Sequence, residues 1–275
     1  MYDNKKKLLT LLIFAAVIFS LFTIYIYSAD AVRLSARSAV LYEPSSESFL
    51  YTKNANARLP MASTTKIMTA LIALERLAPD AIIEIPKAAV GIEGSSLYLE
   101  EGELISAEDL IYGLMLGSAN DAAAAIAIEI SGSVEEFSAL MNERAEEMQL
   151  KDTSFKNPHG LDAEGHYTTA HDLAIIAAEA LKNEDFKRIS SSYKKDIETS
   201  LKTRVVVNHN KLLKSYDGCI GVKTGYTKKS GRSLVSAAVR EGITLIAVTI
   251  NAPDDWRDHK SLLDYGFNCF SSMEE

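Results

Sequence analysis

Three short stretches hold side chains whose types and spacing suit attack on a carbonyl. Ser63-Thr64-Thr65-Lys66 sets a hydroxyl and an amine three residues apart, a spacing that shares one face of a helix. Pro60 precedes them, and Ile67, Met68, Leu71, Ile72 and Leu74 make the following helix apolar nearly all round, so it should be buried. A serine at such a helix start has free backbone N–H groups and the positive end of the dipole beside it, which favour an oxyanion. Burial of Lys66 should lower its pKa and give an uncharged amine able to take the serine proton. The same S-x-x-K spacing occurs at Ser191 with Lys194 and at Ser192 with Lys195, in a polar stretch read as non-helical. On this motif alone an N-capping serine is the simpler reading of Ser63.

Ser118-Ala119-Asn120 follows Gly117 between two helical segments. Its plain reading is another N-cap; its chemical reading is a second hydroxyl that relays protons, with Asn120 binding a substrate amide. Lys223-Thr224-Gly225 occurs once and ends a β-like run. On a strand, Lys223 and Gly225 point one way and Thr224 the other. Gly225 lets a ligand approach the backbone, while the ammonium and the hydroxyl suit a carboxylate. A second cation near Lys66 would also help keep that amine neutral.

These motifs need elements to hold them. Ala36 to Glu43 and Ser48 to Lys53 read as a hairpin around Pro44-Ser45-Ser46. Helices follow: the buried one after Ser63, one opened by Ser106-x-x-Asp109 and ended by Gly117, and an Ala-rich one from Asp121 to Ile130. Ser133-x-x-Glu136 and Thr169-x-x-Asp172 open two more, separated by a loop-rich stretch that holds Asn157-Pro158-His159-Gly160. Strand patterns then run over Thr203 to Asn208, Cys219 to Thr224, Arg232 to Val239 and Ile243 to Ile250, with a Glu241-Gly242 turn, before a closing helix from Asp254 to Phe267. The order predicts an α+β fold, in which terminal strands join in one antiparallel sheet and a mostly helical lobe is inserted between them.

The 275-residue chain is 47% hydrophobic, too apolar for a disordered protein, and its net charge of −8 argues against nucleic acid. Lys5, Lys6 and Lys7 precede an uncharged run from Leu8 to Tyr27, which as a helix would span about 30 Å. This predicts that residues 1–31 are a signal peptide cut after Ala31 or a retained membrane anchor, and that residues 32–275 are an exported domain. Five histidines show no metal spacing, and no Gly-rich phosphate loop appears, so no cofactor is expected. Two cysteines, Cys219 and Cys269, exclude a disulfide scaffold but permit one bridge outside the cytoplasm.

The ordered trio, in the settings of a buried helix start, an interhelix loop and a strand, resembles that of penicillin-binding proteins and class A β-lactamases. With Arg58 to Ala62, Glu93-Gly94-Ser95-Ser96, Phe155 to Leu161 and Gly221 to Tyr226, the chain is similar to the low-molecular-weight penicillin-binding proteins, serine-type D-alanyl-D-alanine carboxypeptidases, over about residues 34–270. The resemblance implies a β-lactamase/transpeptidase-like fold. It makes Ser63 the nucleophile, Lys66 the proton acceptor and Ser118 the relay; Asn120, Lys223, Thr224, Gly225 and Tyr226 bind substrate. The oxyanion hole would be the backbone N–H groups of Ser63 and Tyr226. The implied partners are a peptidoglycan stem peptide ending in D-Ala-D-Ala, β-lactams as covalent inhibitors, and the membrane through Leu8 to Tyr27 if that segment is kept. Arg257 is a candidate for a further carboxylate-binding arginine. The chain has no Glu-x-x-Leu-Asn after Asn120 of the kind class A β-lactamases use to deacylate. That favours a peptidase over a β-lactamase; a D,D-endopeptidase and a non-hydrolytic β-lactam receptor are the other readings.

Overall fold

The first hairpin is closed by its own acid. Glu43 accepts hydrogen bonds from Ser45 N (2.9 Å), Ser46 N (2.7 Å) and Ser46 Oγ (2.5 Å) at the turn between β1 (Ser38–Glu43) and β2 (Ser48–Lys53). The computed structural model describes residues 32–271, so the predicted signal or anchor segment lies outside the described residues. Among the described residues no helix is long and apolar enough to cross a membrane.

The terminal strands join as the pattern predicts. β7 (Cys219–Thr227), β8 (Gly231–Arg240) and β9 (Ile243–Ile250) extend the hairpin into a five-stranded antiparallel sheet of order β2-β1-β9-β8-β7. β1 enters between β2 and β9, with Ala39 opposite Thr249. Glu241 and Gly242 both have positive φ at the β8–β9 turn, the backbone a tight two-residue hairpin needs.

Helices cover both faces, which is why Ser233 to Ala238 of β8 are buried without alternation. The closing helix, Asp255–Ser271, lies on one face. Gly266 permits this approach, since a Cβ there would meet Leu245 and Leu41 side chains at 2.6 Å. His259 is buried under the same helix, with Nδ1 2.6 Å from Ser236 Oγ and Nε2 2.9 Å from Thr249 Oγ1. Asp258 accepts from Ser35 N, Ser35 Oγ and Ala36 N, tying the helix to the start of the sheet.

The opposite face carries α1 (Lys66–Arg76) and α5 (Ala170–Ala180). Around α1 pack α2 (Ala107–Leu116), α3 (Asn120–Ser131) and α4 (Val134–Glu147). Ala122 to Ala127 of α3 are wholly buried, because small side chains let neighbouring helices close on it. The expected caps form: Ser106, Ser133 and Thr169 side chains accept from Asp109, Glu136 and Asp172 backbone N–H groups.

Two features depart from the sequence reading. Glu184–Ser191 is a helix, α6, capped by Asn183 and anchored through Phe186 and Ile189, and Lys194–Glu198 is a strand, β5. The strand Thr203–Val207, β6, pairs with β5 in a separate two-stranded ribbon and does not join the main sheet. A second ribbon is formed by β3 (Ile82–Glu84) and β4 (Leu104–Ser106). Arg204 of β6 joins the two ribbons through Glu103, which is buried and also accepts from Thr199 Oγ1. These bonds outweigh burial and hold the Glu103 carboxyl down at about 2.

Removing one partner of a buried ion pair leaves the other uncompensated. Arg204→Ala should lower unfolding free energy by about 3–5 kcal/mol at neutral pH. Because the Glu103 pKa is depressed, its contribution is complete above the ordinary carboxylate range and is lost as pH falls toward about 2. The gap between wild type and variant, read from urea melts at pH 7 and pH 3, should therefore narrow in acid. Equal midpoints at pH 7 would rule this bridge out as a stabilising one.

Candidate active site

Ser63 lies on a 3-10 turn, Ala62–Thr65, that runs directly into α1. Its side chain caps neither element, so the capping reading of the sequence does not hold. The turn ties itself with other hydroxyls: Thr64 Oγ1 donates to Met61 O (2.6 Å) and Thr65 Oγ1 to Ala62 O (2.8 Å). Ala62 adopts a left-handed backbone, φ +49°, a conformation disfavoured for a residue with a Cβ. Ser63 Oγ is left to lie 3.1 Å from Lys66 Nζ.

Lys66 is wholly buried, with 0% of its surface exposed. Its Nζ lies 2.7 Å from Asn120 Oδ1 and 2.5 Å from the His159 carbonyl oxygen. Burial first, and the charge of Lys223 second, push its pKa well below the ordinary lysine value. The partners fit an uncharged amine. Two of them are carbonyl-type oxygens that can only accept, and they take the two N–H bonds. The lone pair is then left facing the one partner able to donate, the Ser63 hydroxyl.

Three segments bring those partners together. Ser118, also left-handed at φ +59°, sits in the short link between α2 and α3 and lines the groove. It does not cap α3, whose first residue is Asn120. The Asn120 amide is committed within the protein, Oδ1 to Lys66 and Nδ2 to Glu93 O (2.6 Å). It thus helps to hold Lys66, while the second N–H of its Nδ2 is not used by either bond. Next to it, buried Asp121 accepts from Ser96 Oγ, Leu97 N and Leu99 N and fixes the loop before α2.

The third partner comes from Asn157-Pro158-His159-Gly160. Asn157 folds this turn by accepting from Gly160 N (2.7 Å) and donating to Leu161 O (2.9 Å), and Thr69 of α1 holds the Pro158 carbonyl. His159 contributes its backbone; its ring is pushed down to about 3 by burial and by Lys66. Gly160 is required in two ways, by φ +91° and because a Cβ would fall 1.9 Å from Ala62 O. Nothing in the residue pattern marks His159 as a partner of Lys66. The signal it lacked was that the carbonyl, and not the ring, faces the amine.

β7 forms the far wall. Thr224, Gly225 and Tyr226 line a groove of about 360 Å³ with Ser63, Ser95 and Ser118. A Cβ on Gly225 would stand 3.1 Å from Ser63 N, so the glycine lets the strand abut the turn. Lys223 is buried just behind this wall, donates to Thr224 O at 3.0 Å, and is pushed down to about 7 by burial. Arg232 lines the groove, and the expected candidate Arg257 is not among its lining residues. Arg257 pairs outward with Asp254, whereas Arg232 stands opposite Tyr226 in the β7–β8 register, pairs with Asp255 at 2.8 Å and lies over Trp256. Counting back through the Thr227-to-Gly231 turn would have found it. The remaining S-x-x-K matches do not form a pair: Ser191 ends a helix and Lys194 begins a strand. Cys219 and Cys269 are not joined, so the permitted bridge is absent; Cys219 Sγ lies 3.4 Å from Gly221 O.

Gly160→Ala should destabilise the protein by at least about 2 kcal/mol, since it combines a left-handed φ with a clash against backbone. Denaturant unfolding measures this. A loss below about 0.5 kcal/mol would show that the Asn157–Gly160 turn is not packed on Ala62 as described.

Comparison with known proteins agrees with this geometry. The chain is 37% identical to the D-alanyl-D-alanine carboxypeptidase DacF of Bacillus subtilis, covering 97% of this chain and 72% of that protein. It is 33% identical to DacC of Escherichia coli, covering 90% of this chain and 64% of that one. The solved structure of the Streptomyces K15 DD-transpeptidase superposes with a TM-score of 0.81 at 33% identity, covering 86% of this chain and 98% of that one. The family model for the S11 peptidases, described as D-alanyl-D-alanine carboxypeptidase, matches residues 26–254. The antiparallel sheet, the helical lobe and these likenesses lead to one family: the chain belongs to the S11 peptidases, the D-alanyl-D-alanine carboxypeptidases.

Proposed function

We propose that this protein removes the terminal D-Ala from peptidoglycan stem peptides through an acyl-enzyme on Ser63. The observation that carries the reading is the wholly buried amine of Lys66, with Nζ 3.1 Å from Ser63 Oγ and in hydrogen-bond contact with two carbonyl-type oxygens. Lys66 takes the Ser63 proton as Oγ attacks the carbonyl carbon between the two D-alanines. The oxyanion is stabilised by the backbone N–H groups of Ser63 and Tyr226. The C–N bond then breaks, and Ser118 passes the proton held by Lys66 to the leaving amine, which restores the neutral lysine. Water cleaves the ester and releases the shortened peptide.

The terminal carboxylate suits the Thr224 and Arg232 end of the groove, where a hydroxyl and a guanidinium line the wall. When protonated, Lys223 adds a buried positive charge behind it and disfavours protonation of Lys66. β-Lactams mimic the D-Ala-D-Ala end and acylate the same oxygen. Glu164 is exposed and is not among the groove residues, and the carboxylate that does line the groove, Asp255, is paired with Arg232. The lysines and apolar run before residue 31 support export, with the catalytic domain acting outside the cytoplasm and Leu8 to Tyr27 serving as leader or anchor. The likeness to a protein described as a DD-transpeptidase also supports transfer of the acyl group to an amine in place of water.

Wild-type protein should release free D-alanine from diacetyl-L-lysyl-D-Ala-D-Ala, and Ser63→Ala should release none. Release by Ser63→Ala at the wild-type rate would remove the nucleophile assignment. Labelled penicillin should stay on Ser63 for many minutes; rapid turnover within seconds would favour a β-lactamase.

Acylation should fall as pH drops and Lys66 takes a proton, because its lowered pKa keeps it neutral only above that limb. Lys223→Met removes the neighbouring charge, so the limb should move to higher pH. A pH profile of penicillin acylation checks the direction, and an unmoved limb would show that Lys223 does not influence the amine.

A further inference from the structure

The turn that carries Ser63 is held from behind by a chain of hydrogen bonds whose polarity can be assigned. Lys156 N lies 2.9 Å from His166 Nδ1. A backbone N–H can only donate, so Nδ1 accepts and the proton of the neutral ring sits on Nε2. Nε2 lies 2.9 Å from Thr65 Oγ1, which therefore receives that proton as a hydrogen bond and turns its own toward Ala62 O, 2.8 Å away. His166 and Thr65 are both buried, and burial keeps the ring uncharged by pushing it down to about 4. The chain ends on the carbonyl of the left-handed residue immediately before the nucleophile.

That carbonyl and the Ser63 N–H belong to one planar peptide unit, in which C=O and N–H point in opposite directions. Fixing Ala62 O on one side therefore fixes the Ser63 N–H on the other, beside Gly225 of β7. Gly160 packs against the same carbonyl and leaves it no room to swing back.

We propose that His166 is a positioning residue for acylation, acting through Thr65 and the Ala62 carbonyl to aim the Ser63 N–H and set the Ser63 side chain. The proposal rests on the acyl-enzyme reading above. It assigns work to a histidine that lies in none of the three chemical motifs and touches no groove residue by its ring.

Paired substitutions divide the chain at its middle. His166→Asn keeps an acceptor where Nδ1 stands and loses the donor to Thr65. His166→Gln keeps an N–H where Nε2 stands. Thr65→Val removes the hydroxyl and Thr65→Ser keeps it. Second-order acylation by a fluorescent penicillin should fall about 10- to 100-fold in His166→Asn and in Thr65→Val. It should stay within about threefold of wild type in His166→Gln and Thr65→Ser, and thermal midpoints should not follow this division. The double variant, His166→Asn with Thr65→Val, should be no slower than the worse single one, since both cut the same chain. Wild-type rates in His166→Asn and Thr65→Val, or losses that multiply in the double variant, overturn the proposal. Labelling of Ser63→Ala would instead overturn the nucleophile assignment on which it rests.

Discussion

An amine cut off from water governs this molecule. Lys66 cannot carry its ordinary charge where it lies, because desolvation penalises the ammonium and Lys223 adds repulsion. Neutrality alone would leave a weak and undirected base. Direction comes from Asn120 Oδ1 and the His159 carbonyl, which consume both N–H bonds. Those acceptors belong to α3 and to the loop before α5, so two separate segments of the fold meet at one amine. A surface lysine with the same S-x-x-K spacing would have none of this.

The same crowding explains where the backbone departs from comfortable geometry. Ala62 and Ser118 both have left-handed φ, and both adjoin the groove. Such conformations persist where surrounding structure over-determines them. At Ala62 the surroundings are the Thr65 hydroxyl and Gly160 on one side, and Gly225 on the other. Two glycines thus permit a turn that an alanine must strain to make. Their importance is in what a side chain would displace, which is backbone in both cases.

Much of this was legible in the residues. The three motifs fell in the expected settings, the terminal strands joined in one sheet, and the burial of Lys66 followed from the apolar run after it. What stayed hidden was carried by backbone atoms and register. His159 acts through a carbonyl, and no side-chain pattern reports that. Arg232 reaches the groove because it stands opposite Tyr226, a fact of pairing and not of local sequence. The β5–β6 ribbon escaped because Lys194 to Glu198 holds one apolar residue, Ile197, and its stability comes from the distant Glu103–Arg204 pair. The Asn120 motif did not report that its Oδ1 also holds Lys66.

The position of β1 between β2 and β9 has a consequence for how the chain comes to exist. The sheet that supports the Thr224 wall is completed by pairing Ser38 to Tyr42 with Ile246 to Ile250, segments far apart in sequence. A ribosome-bound or partly threaded molecule therefore has no partner for its first hairpin until β9 has emerged. Closing a loop of that length costs entropy, so this pairing is slow. The order of its strands thus delays assembly of the groove until β9 is available.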